Sequence, residues 1–547
     1  MALIELNDVS FTYPDAKEPA IRDLSLSVNK GQFVVLFGAS GSGKSTLLRL
    51  LKKEIQPHGT LSGRIMINDQ LIQEKEGLTK DVGFVFQDPE NQIVADDVLH
   101  EIVFGLENIG LNTNEMRNRV AEMVHFFGAE SILSRKSEQL SGGKKQQINL
   151  ASVLLMQPNI LLLDEPTSQL DPVSAREFID MLKRLNEEFG MTVIIAEHRL
   201  EEVFTLADQI IMMENGSINM TGEPKEVLRE LWNTPYQPYI PKIPSLFLSM
   251  NGHGSVPLTV KEGRDWIQSQ KIEPVFSSEE KTIQKTEELV KVKHLSFHYD
   301  KKNEFVLNEL ELSLNKGEFY ALLGGNGSGK STLLKVIAGL IKPDYGKVMF
   351  EKWPIRKYKK IDFVSKIGYL PQNPKLFFIQ DTVQKELQMT LDQWKVTGVN
   401  EVTELLDQLA ITHLMENHPY DLSGGEIQKA ALACILVRKP EVLLLDEPTK
   451  GLDPISKENL AKILLSWQAA GMTILMSTHD VEFAAQYATR CGMMFQGKIT
   501  SEDIPEKFFN GNFFYTTMIQ RVFRGLSDRR IPMTLEEVTQ QCANTER

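Results

Sequence analysis

Cysteines and long apolar runs are both scarce in this sequence of 547 residues. The only cysteines are Cys434, Cys491 and Cys542, which lie far apart and outside any Cys-x-x-Cys spacing, so neither a zinc site nor a disulfide framework is indicated. No run of about 18 apolar residues occurs, and residues 1–5 lack the basic start of a secretory signal. We therefore expect a chain of the reducing cytoplasm that does not itself span a membrane.

Basic residues are outnumbered by acidic ones. The chain has 60 Lys and Arg against 73 Asp and Glu, which gives a formal net charge of −13. A surface built to neutralise nucleic-acid phosphates needs clustered Lys and Arg, so we expect no nucleic-acid partner. A bound nucleotide is still compatible with this charge, because a few backbone amides, one Lys and Mg²⁺ can hold a triphosphate inside an acidic protein.

One ordered set of segments occurs twice, which predicts two copies of one domain. Residues 38–46 read Gly-Ala-Ser-Gly-Ser-Gly-Lys-Ser-Thr and residues 324–332 read Gly-Gly-Asn-Gly-Ser-Gly-Lys-Ser-Thr, an offset of 286. Later segments keep nearly the same spacing, as in the pairs Ser141 and Ser423, Asp164 and Asp446, and His198 and His479.

The repeat also predicts the domain boundaries. We place the two domains at 1–235 and 290–500, an extension with a polar linker at 236–289, and a C-terminal extension at 501–547. Within the linker, residues 273–288 are rich in Glu, Ser, Thr and Lys and are typical of a tether.

Each glycine-rich segment follows an apolar strand candidate (33–37, 319–323) and precedes a helix candidate. In the pattern GxxxxGK[ST], successive backbone N–H groups surround phosphate oxygens, and the helix N-terminus adds a favourable field. The lysine is expected to reach the β- and γ-phosphates, and the serine after it to bind Mg²⁺. The predicted phosphate-binding residues are Gly38, Ala39, Ser40, Gly41, Ser42, Gly43, Lys44, Ser45 and Thr46, and Gly324, Gly325, Asn326, Gly327, Ser328, Gly329, Lys330, Ser331 and Thr332.

Two adjacent acids end a second apolar strand candidate in each copy. Asp164 and Glu165 follow Ile160-Leu-Leu-Leu, and Asp446 and Glu447 follow Val442-Leu-Leu-Leu. The first acid suits Mg²⁺ coordination, and the second suits a general base or water-orienting group for attack on the γ-phosphate. A solvated strand end is the structural alternative, but it does not explain why both acids recur.

The segments Leu140-Ser-Gly-Gly-Lys-Lys-Gln and Leu422-Ser-Gly-Gly-Glu-Ile-Gln resemble the signature motif of ATP-binding cassette ATPases. The resemblance covers nearly the whole chain, and every motif of that family is present in order. It implies an α/β fold with two P-loop NTPase domains, each with a mainly parallel sheet core, an antiparallel β subdomain and a helical signature subdomain. It also assigns Tyr13 and Tyr299 to adenine stacking, and Gln87 and Gln372 to the Q-loop. Residues 168–171 and 450–453 match the D-loop, and His198 and His479 match the switch histidine.

This resemblance implies ATP and Mg²⁺ as ligands and an intramolecular cassette dimer with two composite ATP sites. Site one combines the P-loop, acids and histidine of the first copy with the signature of the second copy. Site two combines the P-loop, acids and histidine of the second copy with the signature of the first. The implied signature contacts are Ser141, Gly142, Gly143, Ser423, Gly424 and Gly425. The implied catalytic residues are Glu165, His198, Glu447 and His479, and the implied metal ligands are Ser45, Gln87, Asp164, Ser331, Gln372 and Asp446.

The signatures depart from the common pattern at two positions. The usual Gln at the fifth position is Lys144 in one copy and Glu426 in the other, and the usual Arg three residues later is Gln147 or Lys429. These substitutions predict two unequal sites.

Residues 86–94, Phe-Gln-Asp-Pro-Glu-Asn-Gln-Ile-Val, resemble the Q-loop of energy-coupling-factor ATPases, which power uptake of vitamins and of cobalt or nickel ions. The tandem format is similar to a subgroup linked with thiamine-precursor uptake. The implied partners are a transmembrane coupling subunit and a substrate-binding membrane subunit, with the chain peripheral at the cytoplasmic face of the cell membrane. For Ile93, Val94 and Val98, simple core packing stays open beside a coupling groove. The alternative function is a soluble tandem cassette ATPase acting on the ribosome or a nucleic acid.

Overall fold

The computed structural model describes residues 2–14, 16–73, 80–270, 287–301, 304–395, 399–513, 515–526 and 531–539. Contacts between backbone positions divide the chain into two units, Met1–Pro241 and Lys242–Arg547. Of the predicted linker 273–288, all but Glu287 and Glu288 lie outside the described residues, as does Cys542. The four predicted domain boundaries therefore stay a prediction.

Unit 1 contains two sheets. Its strands are β1 (Ala2–Thr12), β2 (Ile21–Asn29), β3 (Phe33–Phe37), β4 (Thr60–Ile67), β5 (Gln70–Leu71), β6 (Val82–Val85), β7 (Ile160–Asp164), β8 (Thr192–Ala196), β9 (Gln209–Glu214) and β10 (Ser217–Gly222). The first sheet is antiparallel in the order β2-β1-β4-β5, and the second has the order β10-β9-β3-β8-β7-β6. In this second sheet only the β9–β10 pair is antiparallel.

Seven α-helices accompany these sheets in the described part of unit 1. They are α1 (Lys44–Leu50), α2 (Val98–Asn108), α3 (Thr113–Phe127), α4 (Gly142–Leu154), α5 (Pro172–Phe189), α6 (Leu200–Val203) and α7 (Pro224–Leu231). Polar side chains cap several of them: Asn112 accepts from the Glu115 amide at the start of α3, and Asp171 accepts from the Val173 and Ser174 amides at the start of α5.

Unit 2 repeats this topology. Its strands are β11 (Glu288–Phe297), β12 (Leu307–Asn315), β13 (Phe319–Leu323), β14 (Tyr345–Phe350), β15 (Trp353–Pro354), β16 (Ile367–Leu370), β17 (Val442–Asp446), β18 (Thr473–Thr478), β19 (Arg490–Phe495) and β20 (Lys498–Asp503). The antiparallel sheet has the order β12-β11-β14-β15, and the larger sheet has the order β16-β17-β18-β13-β19-β20.

The helices of unit 2 include two that precede its first strand, β11. In chain order they are α8 (Lys242–Ser249), α9 (Val260–Gln270), α10 (Lys330–Ile337), α11 (Lys360–Lys366), α12 (Val383–Trp394), α13 (Val399–Gln408), α14 (Gly424–Leu436), α15 (Pro454–Ala469), α16 (Val481–Tyr487), α17 (Pro505–Asn510) and α18 (Met518–Phe523). No helix in the described ranges is long and apolar enough to cross a membrane.

The order of the parallel strands positions the site. All side chains of β3, β7 and β8 are buried, as expected for strands covered on both faces, and the three strands are neighbours in the order β3-β8-β7. Their carboxyl ends therefore meet at one edge of the sheet, where the glycine-rich loop, the paired acids and His198 follow them. Strands β13, β17 and β18 form the same edge in unit 2. The predicted α/β class with a parallel core and an antiparallel sheet is confirmed.

The segment after unit 1 packs with the C-terminal region. Ile243 and Leu246 of α8 and Ile267 of α9 share a buried apolar cluster with Val522 and Phe523 of α18. The guanidinium of Arg264 donates to the backbone carbonyl oxygen of Arg521 at 2.7 Å. Two stretches that precede and follow the second set of sheets thus fold against each other.

Candidate functional site

The two glycine-rich loops have the geometry of phosphate-binding loops. Gly38 (φ 142°) and Gly324 (φ 156°) adopt backbone angles that L side chains rarely take. A Cβ on Gly38 would lie 2.1 Å from the carbonyl oxygen of Met213, and a Cβ on Gly324 would lie 2.4 Å from that of Met494. Only glycine fits where each loop leaves its strand.

The lysines of both loops are buried and point back over their own loops. Lys44 Nζ donates to the carbonyl oxygens of Gly38 (3.0 Å) and Ala39 (2.8 Å). Lys330 Nζ donates to those of Gly324 (2.7 Å) and Gly325 (3.2 Å). Each ammonium group is thus held at the mouth of its loop, the position from which it can meet an anionic phosphate.

In unit 1, the carboxyl ends of the strands bring together five predicted residues. Ser45 Oγ donates to Asp164 Oδ1 at 2.7 Å. Gln87 Nε2 donates to Glu165 Oε2 at 2.6 Å, and His198 Nε2 lies 2.8 Å from Glu165 Oε1. Burial raises the pKa of Asp164, and the Ser45 hydroxyl bond opposes this. A hydroxyl and a carboxylate side by side are the hard oxygen donors that Mg²⁺ prefers, so these residues fit the metal.

Unit 2 repeats this arrangement except at Gln372. Ser331 Oγ lies 2.9 Å from Asp446 Oδ1, and His479 Nε2 lies 3.0 Å from Glu447 Oε1. Lys330 Nζ lies 3.5 Å from the same glutamate oxygen. Burial raises the pKa of Glu447, and the Lys330 charge opposes this. Gln372 is exposed, and no hydrogen bond joins its side chain to Glu447 among the residues that the structure describes.

Both predicted catalytic glutamates have an unusual backbone. Glu165 (φ 44°) and Glu447 (φ 52°) are in the left-handed region, which costs a non-glycine residue about 1–3 kcal/mol and is enriched at functional sites. The turn reverses the chain directly after β7 or β17 and directs the carboxylate toward the histidine of the neighbouring strand.

The predicted adenine-stacking tyrosines lie next to the loops. The Tyr13 hydroxyl is 3.1 Å from Thr46 Oγ1, and the Tyr299 hydroxyl is 3.2 Å from Thr332 Oγ1. Phe11 and Phe297 contact the tyrosine rings edge-on, with centroids 5.0 Å apart in both cases. Each aromatic face is thus fixed beside the phosphate-binding loop of its own unit.

The signature serines begin helices α4 and α14. Ser141 Oγ accepts from the Lys144 amide. Ser423 differs, because its hydroxyl donates to Glu426 Oε2 (2.7 Å) and its amide donates to the same oxygen (2.9 Å), forming a capping box. Within the described part of unit 1, no hydrogen bond joins Ser141 to residues 38–46.

Four further residues shape these sites, and motif spacing did not identify their roles. Ser477 Oγ donates to Asp446 Oδ1 (2.7 Å) and accepts from the Glu447 amide (3.0 Å). Glu101 is buried and accepts from the amides of the segment after Gln87, and Glu386 does the same in unit 2. Glu197 is buried beside His198. The sequence did contain a signal for the three glutamates. One acid stands directly before the histidine of unit 1, and one acid lies in the first turn of the helix after each Q-loop.

Comparisons with known proteins place the chain in a family. The model of the ABC transporter family matches residues 21–168 and 307–450. The whole chain is 43% identical to a Bacillus cereus protein named as an ABC transporter ATP-binding protein, of which 99% is covered. A similarly named Streptomyces coelicolor protein is 34% identical over 91% of this chain and 93% of its own length. The solved cbiO1 structure from Clostridium perfringens, titled as part of the ABC transporter complex cbiONQ, is 31% identical over 42% of this chain and 94% of its own, with a TM-score of 0.38.

The fold and the paired sites define a P-loop ATPase with two cassettes. The chain belongs to the ABC transporter family, and it is an ATPase that serves as the ATP-binding subunit of a transporter. Hereafter cassette 1 and cassette 2 denote the P-loop domains of units 1 and 2.

Proposed function

We propose that this ATPase energises an importer of the energy-coupling-factor type, whose substrate is a vitamin, a vitamin precursor or a metal ion. The chain would act at the cytoplasmic face of the membrane and dock to a transmembrane coupling subunit, which works with a substrate-binding membrane subunit. The observation that carries this proposal is an exposed apolar surface directly after Gln87.

That surface is formed by the loop after Gln87 and the start of α2. Val94 is 68% exposed, and Leu99 and Phe104 are 43% and 46% exposed. Val98, four residues after Val94, is fully buried. Core packing therefore explains Val98 but not Val94. Several exposed large apolar side chains within one short segment are a feature of protein interfaces.

The exposed loop is held in a fixed shape. Glu101 Oε2 accepts from the amides of Val94 (2.9 Å) and Ala95 (2.7 Å). In cassette 2, Glu386 accepts in the same way from Ile379 and Gln380, and Ile379 is 74% exposed. Both cassettes thus present a preorganised apolar loop, which lowers the entropy cost of docking.

Cassette 1 also links this loop to the signature helix. On α4, Gln146 Nε2 donates to the Phe86 carbonyl oxygen and Asn149 Nδ2 to that of Pro89, both at 3.1 Å. Lys145 forms a salt bridge with Glu90. A displacement of α4 on ATP binding would therefore move the docking loop, which gives the membrane subunit a mechanical input.

For the ATP sites, we infer two composite sites of the cassette-dimer type. Each P-loop lysine would meet the phosphates, and each Ser–Asp pair would hold Mg²⁺, joined by the Q-loop glutamine. Glu165 and Glu447 would orient the attacking water, and His198 and His479 would sense the γ-phosphate. The hydrogen-bonded clusters at the two sheet edges support these roles. The Mg²⁺ ion would neutralise phosphate charge during hydrolysis.

A charge in the docking loop is expected to separate transport from catalysis. Val94→Glu should keep the ATPase rate of the isolated chain, because Val94 contributes nothing to the core. It should reduce co-purification with membrane partners by at least about tenfold, since an unpaired charge buried in an apolar contact costs a few kcal/mol. Both quantities are measured on the full chain, after expression with its native membranes and identification of the partners by mass spectrometry.

Two variants serve as controls for this experiment. Ile361→Glu places the same charge at an apolar residue of similar exposure (64%) on α11 and should leave docking intact. Val98→Glu should unfold cassette 1. Unaltered partner binding and uptake in Val94→Glu would reject the proposed interface. Capture of ribosomes in place of membrane proteins would support the soluble alternative.

The two ATP sites are expected to differ in affinity. In the proposed composite arrangement Lys144 would face the nucleotide of site two and Glu426 that of site one. Glu426 also accepts a hydrogen bond from the Ser423 hydroxyl. Site two should bind ATP about two- to fivefold more tightly, the size of effect typical of partly exposed charges. ATP titration of Lys44→Met chains reports site two, and titration of Lys330→Met chains reports site one.

An exchange of the two charges is the matched control. Lys144→Glu combined with Glu426→Lys should reverse the order of the two affinities. Equal affinities in the unexchanged chains, or an order that survives the exchange, would show that these residues do not set the difference.

A further inference from the structure

Glu197 is a buried carboxylate at the end of β8 that has no role in the proposed chemistry. It is 1% exposed and directly precedes His198. One carboxylate oxygen, Oε1, accepts from the Thr167 amide (3.0 Å) and from Thr167 Oγ1 (2.7 Å). The other, Oε2, accepts from the amides of His198 (3.1 Å) and Arg199 (3.4 Å).

The hydrogen-bond pattern requires both terminal atoms of the side chain at position 197 to be acceptors. All three amide partners can only donate, and the Thr167 hydroxyl also donates in this geometry. A glutamine has one oxygen and one NH₂ group, so it would set the NH₂ against at least one backbone N–H. Burial raises the pKa of Glu197, and the two bonds from Thr167 oppose this. These contacts therefore require glutamate rather than glutamine at position 197.

These contacts join the two segments that carry the reacting groups. Thr167 lies two residues after Glu165, in the chain that leaves the strained turn, and Ser168 Oγ donates back to the Glu165 carbonyl oxygen at 2.8 Å. Arg199 adds a second link, because its guanidinium donates to the Leu170 carbonyl oxygen at 3.1 Å. The segment that follows β7 is thus fastened to the segment that follows β8.

Cassette 2 fastens the same segments differently. The residues before its histidine are Ser477 and Thr478, where cassette 1 has Ala196 and Glu197. Ser477 Oγ accepts from the Glu447 amide (3.0 Å), and the Thr478 and Thr449 hydroxyl oxygens lie 3.4 Å apart. In both cassettes the glutamate amide also donates to a backbone carbonyl oxygen of the neighbouring strand, that of Ala196 at 2.9 Å or of Ser477 at 3.1 Å. The cassettes therefore differ in the side chains that reinforce this link, which are hydroxyls in cassette 2 and the Glu197 carboxylate in cassette 1.

We propose that Glu197 is a positioning residue for ATP hydrolysis at cassette 1: by fastening Thr167 to the end of β8, it keeps Glu165 and His198 aligned and couples them to the D-loop. The group does not touch the nucleotide. Its loss should slow the chemical step without weakening ATP binding, because a carboxylate misplaced by about 1 Å loses catalytic power on the order of 100-fold while the P-loop is unchanged.

The test compares Glu197→Gln and Glu197→Thr with Glu165→Gln, which defines the rate of a chain whose cassette 1 does not hydrolyse. Steady-state ATPase of the full chain gives kcat and KM for MgATP. In both Glu197 variants kcat should fall about 10- to 100-fold, but not below the kcat of Glu165→Gln. The KM for MgATP should stay within about twofold of wild type. Thermal unfolding confirms that each variant is folded.

A transplant from cassette 2 distinguishes positioning from mere stability. Ala196→Ser combined with Glu197→Thr gives cassette 1 the Ser477–Thr478 pair and should recover several-fold of the kcat that Glu197→Thr loses. Wild-type kcat in Glu197→Gln would overturn the proposal, as would a Glu165→Gln chain with a normal rate. A loss of kcat, ATP binding and thermal stability together, without recovery in the double variant, would assign Glu197 a structural role only.

Discussion

The Glu165→Gln, Glu447→Gln double variant is expected to bind ATP and fail to hydrolyse it. Glutamine keeps the size of glutamate and one acceptor oxygen, so the contacts of Gln87 and His198 with residue 165 can persist in part. The charge that we propose polarises the attacking water is lost. A missing general base slows turnover on the order of 10²- to 10⁴-fold.

Two measurements check this result, the steady-state ATPase rate and the ATP that remains bound after rapid gel filtration. The double variant should retain ATP with the cassettes closed, because binding is left intact when the chemical step stops. Glu188→Gln, at an exposed position on α5, removes a carboxylate away from the site and should hydrolyse at the normal rate. Normal hydrolysis in the double variant would show that the roles assigned to Glu165 and Glu447 are wrong.

Much of the site could be predicted because it depends on local spacing and strand order. The GxxxxGK[ST] pattern fixed the positions of Lys44 and Ser45, and the strand that ends in Asp164 had to be parallel to the strand before that loop. Parallel strands bring their carboxyl ends to one edge, so the Ser45–Asp164 contact follows from topology. The same reasoning holds for Ser331 and Asp446.

Other features depend on contacts that spacing does not specify. From the sequence, core packing and a coupling groove were equally compatible with Val94 and Val98. Only the packing of α2 shows that Val94 is exposed and Val98 is buried. The bonds from Glu197 to Thr167 join residues that are 30 positions apart and require the two strand ends to be neighbours. Motif matching also treated Gln87 and Gln372 as equivalent, but only the former contacts its glutamate within the described part of the chain.

The helical cluster of α8, α9 and α18 was also not predicted. Sequence analysis assigned α8 and α9 to an extension before a linker and α18 to a separate C-terminal extension. Each of the three helices is short, and its sequence does not specify which distant segment its buried residues pack against. Contact between segments more than 250 residues apart, such as Arg264 with Arg521, is visible only in the fold.

Loss of either P-loop lysine should weaken ATP binding at its own site. Lys44→Met and Lys330→Met keep roughly the length of the side chain but remove the charge that we propose faces the phosphates. A hydrogen bond to a charged group contributes about 1.5–3 kcal/mol, so each Kd should rise about 10- to 100-fold. Equilibrium ATP binding and ATPase rates of the two single variants give the result, and Lys347→Met, at an exposed residue of β14, is the control.

Loss of Lys330 should also change the protonation of Glu447. Lys330 Nζ lies 3.5 Å from Glu447 Oε1, so Lys330→Met removes a positive charge that opposes the upward shift of the Glu447 pKa. Before ATP binds, more of the Glu447 carboxyl should then be protonated. In a Glu165→Gln background, which leaves only site two to hydrolyse, the low-pH limb of the ATPase activity at saturating ATP should therefore move to higher pH. The pH profile of the Glu165→Gln chain that retains Lys330 provides the comparison. Unchanged ATP binding and hydrolysis in both variants would remove the P-loop assignment, since no other cation in either loop could take over the phosphates.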